Sequence, residues 1–491
     1  MVDGSFGYPT GPDPMCAAGL ASVIGVTMLD IEILEKGGGL IDVKTLRDFF
    51  KILDPPRGFV FQDPKIVYDS YLDLFIVMAT LTDKKTFTDI YLAVSSTPEP
   101  SRATVDEGEG LWNWYYIILR VNEDGSEMIK YPVIDVDEVA IYITAGMYTK
   151  SRKPQFIESR LWILNKNTFY GVGQVLPTPI IMIDNKAGIL VSETSLGVDD
   201  QALANNNNNP LPEIYMPAEI RSFSTKYDVF FGTYLVAYVW FDHSRDPIQE
   251  FLHVYQVNDP LSDPPIIRST VVELEVEDET KPLPNATQPS QWHAKIDTLD
   301  RRVQRVVWHE ETLWLTSTIR DDSNAPEQEQ TAAYFFRLFA PSNETFTELM
   351  DLEYGGAIDA EEVANFTSTY DPAIAVNSRN VAAIGFSANG PNLYPGGYVT
   401  IHDPITEGPG ETQCIQVVKA GENSYEALDG NGIWGGYSGI SVDPLIDDCF
   451  WVFNSYTNVS FPTGTWSTHW ASMCMQLSFQ DLAVEDLEPT E

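Results

Sequence analysis

The sequence predicts an all-β chain closed into a single β-propeller of seven four-stranded antiparallel blades, with six blades as the alternative count. Three observations lead there. First, one phrase recurs: a short β-branched strand, an acidic or amide turn, then a longer apolar strand. It is read in PKIVYDSYLDLFIVMAT (Pro64 to Thr80), PVIDVDEVAIYITAGMY (Pro132 to Tyr148), PAIAVNSRNVAAIGFSAN (Pro372 to Asn389) and SGISVDPLIDDCFWVFNSY (Ser438 to Tyr456). Looser copies run from Tyr215 to Asp242 and from Lys295 to Asp321. Second, the first strand of the four clear copies ends on Asp69, Asp137, Asn377 or Asp443, residue types that accept tight-turn geometry and bond back to their own backbone. Third, a further strand candidate follows most copies, such as DIYLAVSS, SRLWILNK, EFLHVYQVND, AAYFFRLFA and GYVTIHDP. The copies lie about 65 to 85 residues apart, longer than the ~40 to 50 of common blades, so the loops must be extended. Two unrelated β-sandwiches would also give short strands between turns, but would not require one phrase six times.

Taken in order, residues 1–15 read as an extended arm, 16–480 as the propeller and 481–491 as an acidic tail. Ala21 to Glu35 gives two strands, and Val43 to Phe50 a short helical turn or the next strand. Counting this opening unit as a blade makes seven. Pairing of N-terminal with C-terminal strands would then close the ring and remove two exposed edges. Gly197 to Pro212, with five consecutive Asn, Glu275 to Gln291 and Ser323 to Gln330 read as long loops.

Of 491 residues, 44% are hydrophobic and 12% aromatic, enough for a large core. Thirty basic against 71 acidic residues give a net charge of −41, which excludes nucleic acid as a partner because nothing would neutralise phosphates. No stretch reaches the length of a membrane span. The acidity suits solubility, saline surroundings or bound divalent cations. No cofactor is expected. Ca²⁺ is the metal that the acidic turns VIDVDE (Val133 to Glu138), GVDD (Gly197 to Asp200) and LIDD (Leu445 to Asp448) could hold, although none has a twelve-residue calcium loop. Four cysteines, Cys16, Cys414, Cys449 and Cys474, allow a disulfide pinning the two ends of the ring, or buried free thiols. Sequons at Asn285, Asn343, Asn365 and Asn458 permit glycosylation.

WGGYSGISVDP, then FWVFNSY and GTWSTHW (Gly464 to Trp470), resembles the terminal blade of secreted bacterial and algal propeller proteins of sialidase-like fold, and PDPMCAAGLASVIGV resembles their opening segment. The resemblance implies an extracellular or cell-surface location, with any export signal lying outside this numbering. In that group the phrase runs Trp-Gly-Asp-Tyr-Ser, and here Gly436 stands at the acidic position. Sialidase activity would require an arginine trio and Ser-x-Asp-x-Gly-x-Thr-Trp boxes, and the chain has no such box.

In a propeller the segments leading into the innermost strands converge on one face. They nominate Gln62, Asp63, Lys130, Tyr131, Glu213, Tyr215, Trp292, His293, Asp297, Asp300, Arg302, Tyr370, Asp371, Trp434 and Tyr437. Aromatic rings stack on the apolar faces of sugars while carboxylates accept hydroxyl hydrogen bonds, and paired carboxylates can cleave glycosides. Each residue has a structural alternative: Asp-Pro is a turn dipeptide, Trp434 and Tyr437 could pack between blades, and Asp300 with Arg302 could form an ion-paired corner.

The first functional reading is a propeller that binds a glycan or protein partner without turning it over. The second is a glycoside hydrolase or lyase using carboxylates at the channel mouth. The third is an acidic matrix component that binds Ca²⁺. The sequence fixes neither enzymatic activity nor oligomeric state.

Overall fold

In a computed structural model the described residues are 13–82, 88–100, 114–121, 126–151, 154–170, 180–184, 188–189, 214–221, 232–239, 250–274, 282–289, 295–321, 329–341, 350–425, 432–458 and 470–478. They are almost wholly β, with short helical turns at Leu46–Phe49, Lys51–Leu53 and Lys166–Tyr170. Neighbouring strands form antiparallel meanders arranged in a propeller-like ring. The innermost strands lie side by side: Met15–Ala18 against Val60–Asp69, then Glu127–Val136, Met216–Arg221, Arg305–His309, Ser368–Val376 and Gly439–Val442, which returns to Met15–Ala18.

Hydrogen bonding does not divide the strands into seven like units. It gives six sheets, of four (15–45), four (60–120), five (127–189), eight (216–358), four (368–419) and three strands (439–478). The eight-stranded sheet arises because Met216–Arg221 and Arg305–His309 pair in parallel, Ala218 opposite Val306 and Arg221 opposite His309. The five-stranded sheet gains the short strand Gly188–Ile189 at its edge.

The ring also closes differently from the expectation. The first and last sheets share no ladder and meet through their inner strands, where the Ala18 N–H donates to Ser441 Oγ at 3.1 Å. A Cβ on Gly439 would lie 2.5 Å from the Cys16 nitrogen, so only glycine permits this approach. Among the described residues no disulfide pins the junction: Cys16, Cys414 and Cys449 are thiols, and Cys16 Sγ faces the Trp451 carbonyl at 3.6 Å. The predicted arm is shorter than expected, since Asp13 is buried and Met15 already belongs to the first strand. Residues 1–12, the tail 481–491, the Asn-rich loop 197–212 and the Cys474 side chain lie outside the described residues.

Because each sheet is covered on both faces by its neighbours, middle strands are apolar throughout rather than alternating. Leu74–Thr82 (LFIVMATLT) is buried at every position but its ends. Between the first two sheets, the Phe50 and Phe61 rings stack at 5.2 Å and Tyr91 meets Phe50 edge-on at 5.7 Å. Ile134, Ile141 and Trp162 of the third sheet pack against Ile76 and Leu92 of the second. Truncating one such aromatic to Ala costs about 3–5 kcal/mol, so the core lies between the sheets and leaves the axis free for polar residues.

Candidate functional site

The site begins with a local rule repeated around the ring. Asp63-Pro64, Tyr131-Pro132 and Asp371-Pro372 each interrupt an innermost strand, and the register slips there, from Gln62 to Lys65, from Lys130 to Val133 and from Tyr370 to Ala373. Proline has no N–H to give the ladder, so the strand bulges. The residue before each proline takes φ of 49°, 53° or 51°, and Asp13, before Pro14, takes 45°. Residues before proline favour extended backbone, and a non-glycine residue in the left-handed region stores about 1–3 kcal/mol. Four strained X-Pro steps therefore occur on inner strands or their approaches, three of them on consecutive members of the ring, and three of the four carry carboxylates.

These side chains surround two cations. Lys65, two residues beyond Asp63, is buried with Nζ 2.9 Å from the centre of the Tyr437 ring and has no hydrogen-bond partner among the described residues. The guanidinium of Arg302 stacks on Tyr131 at 3.6 Å, and its Nε donates to Asp300 Oδ1 at 2.8 Å. Its Nη1 and Nη2 are buried without an acceptor, as is the Tyr437 O–H. A buried donor left unpaired costs about 1–3 kcal/mol, so this cluster is incomplete as it stands. Gln304 donates from Nε2 to Asp371 Oδ1 at 3.1 Å while its Oε1 is unpartnered. Asp63 and Tyr131 are partly exposed, and the Asp300 side chain is 39% exposed, so the cluster opens on that side. Below it, a pocket bounded by Lys65, Gln304 and Tyr437 continues past Met15, Val133 and Met216 on the inner strands.

Burial shapes the protonation of the cluster. It raises the Asp13 carboxyl to about 6, helped by the charge of Asp63 and opposed by Lys65. It raises Asp63 against the pull of Lys65 and Arg302, and Asp371 well above the carboxylate range despite the hydrogen bond from Gln304. Burial lowers the Lys65 ammonium to about 7, with Asp13 and Asp63 opposing and Arg302 and Arg305 assisting. Tyr437 is raised well above its ordinary value by burial and then by Asp63. Arg302 stays charged: burial works against it, but Asp300, Tyr131 and Tyr437 outweigh that.

Of the residues nominated from sequence, Asp63, Tyr131, Asp300, Arg302, Asp371 and Tyr437 come together here. Tyr215 does not: it is buried among Tyr142, Leu235 and Tyr255, and its O–H faces His253 Nδ1 at 2.6 Å. Trp434 is also core, packed against Tyr425 with its Nε1–H on Ser387 Oγ at 3.1 Å. The Asp297 carboxylate caps its own turn by accepting from the Leu299 N–H at 2.9 Å. Trp292 and His293 lie outside the described residues, as does Glu213. Asp13, Lys65 and Gln304 were missed. Asp13 was legible as a fourth X-Pro step, but Lys65 reads in sequence as an ordinary polar residue of a strand.

The acidic turns considered for Ca²⁺ are engaged within the protein. Asp135 pairs with Arg305 at 3.0 Å, Asp137 accepts the Val139 and Ala140 N–H groups, Asp447 accepts from Ser378, and Asp448 pairs with Arg379. Residues 197–200 lie outside the described residues. Among the described residues no group of three or more His, Cys, Asp or Glu is placed to hold a metal ion, and no helix is long and apolar enough to cross a membrane.

Fold and site together define a propeller-like all-β protein with a polar, charge-bearing cluster at its axis. No protein-family profile matches the chain, and no curated protein does. Among solved structures it is similar to a Trypanosoma rangeli sialidase in complex with sialic acid, at 11% identity and a TM-score of 0.39, covering 94% of this chain and 58% of that one. A protein of unknown function from Dyadobacter fermentans matches at 7% identity and a TM-score of 0.43, covering 85% of this chain and 95% of that one. An N-acetylgalactosamine deacetylase from F. plautii, in complex with blood group B trisaccharide, matches at 12% identity and a TM-score of 0.33, covering 65% and 83%. The chain thus spans 58% of the length of the sialidase. At these values no activity passes from those proteins to this one.

Proposed function

We propose that the axial cluster binds a glycan, and that the protein works outside the cell or at its surface. The observation that carries this is the set of buried donors without acceptors among the described residues, Lys65 Nζ, Arg302 Nη1 and Nη2 and the Tyr437 O–H, in one cluster with the partly exposed carboxylates of Asp63 and Asp300. A sugar offers acceptors to the first group and hydroxyl donors to the second. The Tyr131 ring, held flat by Arg302, adds an apolar edge. A ligand that satisfies donors already stripped of water gains their hydrogen bonds without a second desolvation cost.

The non-catalytic part of the sequence reading finds less support here than the binding part. Strained backbone and displaced titratable groups in one cluster are the pattern of a site that moves protons. Glycan-array binding followed by calorimetry on the best glycans tests the proposal. Arg302→Gln should weaken binding by about tenfold to a hundredfold, as expected for losing charge-assisted hydrogen bonds of ~1.5–3 kcal/mol. A full-length protein that binds no glycan, or whose glycan affinity is unchanged in Arg302→Gln, would overturn it.

A further inference from the structure

We propose that the axial site is a lyase centre for polymers of uronic acid, with Lys65 as the base, Arg302 as the clamp on the sugar carboxylate and Tyr437 as the acid. This rests on the glycan-binding reading and names its substrate class. The groups of the cluster left without hydrogen-bond partners include an amine, a guanidinium fork and a phenol. Three of its four carboxylates are engaged, Asp13 by the Gly436 N–H at 2.8 Å, Asp371 by Gln304 at 3.1 Å and Asp300 by Arg302 Nε at 2.8 Å, which leaves only Asp63, approached by Thr80 Oγ1 at 3.5 Å. Hydrolysis of a glycoside needs two carboxyl groups free to act on opposite sides of the bond. Removal of a proton beside a carboxylate needs a neutral base, a cation to hold the carboxylate as charge spreads onto it, and a proton donor for the departing oxygen. The free groups match the second requirement.

The step balances without water or a redox partner. The neutral Lys65 amine takes the proton from the ring carbon that bears the carboxylate. The electron pair left there forms a double bond to the neighbouring carbon as the bond from that carbon to the glycosidic oxygen breaks. The departing oxygen takes the Tyr437 phenol proton, and after product leaves the Lys65 ammonium gives its proton to solvent while the phenolate takes one back, which restores both groups. Arg302 offers Nη1 and Nη2 as a fork that fits a carboxylate in two hydrogen bonds, while Nε stays on Asp300. Burial lowers the Lys65 ammonium to about 7, with Asp13 and Asp63 opposing and Arg302 and Arg305 assisting against the Tyr437 ring, so the amine sheds its proton near neutrality. Turnover should therefore rise with pH through about 7 as Lys65 becomes neutral.

The test uses full-length protein with oligomers of galacturonate and of alginate, reading the ultraviolet absorbance of the conjugated product and, separately, oligomer binding by calorimetry. The wild type should give an unsaturated product that carries no oxygen from labelled water. Lys65→Met and Tyr437→Phe should each lower turnover by about a hundredfold or more, well beyond the roughly fivefold to tenfold loss of affinity that follows from removing one hydrogen bond to the sugar. Lys65→Arg keeps a cation but no base, so it should bind and fail to turn over even if Lys65→Met folds poorly. Oligouronate binding without product, or a saturated product labelled from water, would overturn the lyase assignment and leave the glycan-binding reading intact. So would binding of neutral glycans alone. Failure to bind any glycan would overturn both.

Discussion

Two buried lysines, Lys65 and Lys166, differ in one respect that separates support from function. Lys166 has Nζ 2.6 Å from Asp69 Oδ2 and donates to the Asp137 carbonyl at 2.6 Å. Asp69 also receives the Tyr170 O–H at 2.9 Å, and Asp137 receives the Val139 and Ala140 N–H groups and the Tyr142 phenol. Every donor of that cluster has an acceptor, and the cluster ties the second sheet to the third. Lys65 lies midway along the inner strand Val60–Asp69 that terminates in Asp69, and has an aromatic face and two nearby carboxylates but no hydrogen bond among the described residues. Burial lowers both ammonium groups and carboxylates oppose it in both, yet one cluster is complete and the other is missing a participant. Burial of charge alone therefore does not mark a site. Unmet hydrogen-bonding capacity beside an opening does.

The sharpest way to break this comparison is to remove each amine. Lys166→Met leaves Asp69 and Asp137 buried without their cation and should cost about 3–5 kcal/mol in urea unfolding. Lys65→Met removes an unpaired buried donor and should change stability by less than about 1 kcal/mol in either direction. Equal losses would erase the distinction.

A smaller effect comes from pH. The folded-state value of Asp13 is raised from 3.8 to about 6, so its contribution to stability is full below about 4 and is lost as pH rises through about 6, on the order of 2–3 kcal/mol. Asp13→Asn should flatten the wild-type fall in unfolding free energy across that window, and an unchanged slope would mean that Asp13 is not the group responsible. Lys65 acts in the opposite direction: its lowered value favours the fold when neutral, so that contribution is present above about 10.5 and is lost as pH falls through about 7.

Smaller still is Gly436→Asp, which restores the acid of the Trp-Gly-Asp-Tyr-Ser phrase. Its Cβ would sit 3.3 Å from Leu299 Cδ1 and 3.9 Å from Asp13 Oδ1, placing a second carboxylate against the first. A destabilisation of about 1–2 kcal/mol at neutral pH, shrinking in acid, is expected by thermal melting. No change would show that this corner tolerates two acids and that Asp13 does not occupy the place of the missing one.

How much of this was legible depends on whether a signal is local. The repeated phrase exposed the inner strands because each must bury both faces, and Asp63, Tyr131 and Asp371 followed as the residues before the prolines. Asp13 carries the same Asp-Pro dipeptide, but its Gly- and Pro-rich surroundings read as an arm. Tyr215 and Trp434 were nominated beside Tyr437 because an aromatic residue at the edge of an inner strand looks alike in sequence whether it lines the axis or packs between sheets. Their partners, His253 for Tyr215 and Ser387 for Trp434, lie 38 and 47 residues away.

By itself the sequence determined the all-β class, the order of the meanders and the acidic character, because strand periodicity, turn chemistry and charge are written residue by residue. Tertiary structure alone decided which strands merge into a sheet, that Cys16, Cys414 and Cys449 form no disulfide with one another, and that Lys65 Nζ and the Arg302 Nη1 and Nη2 groups meet at the axis without acceptors. Those outcomes depend on distances between segments up to several hundred residues apart, and short-range pattern carries no term for such distances.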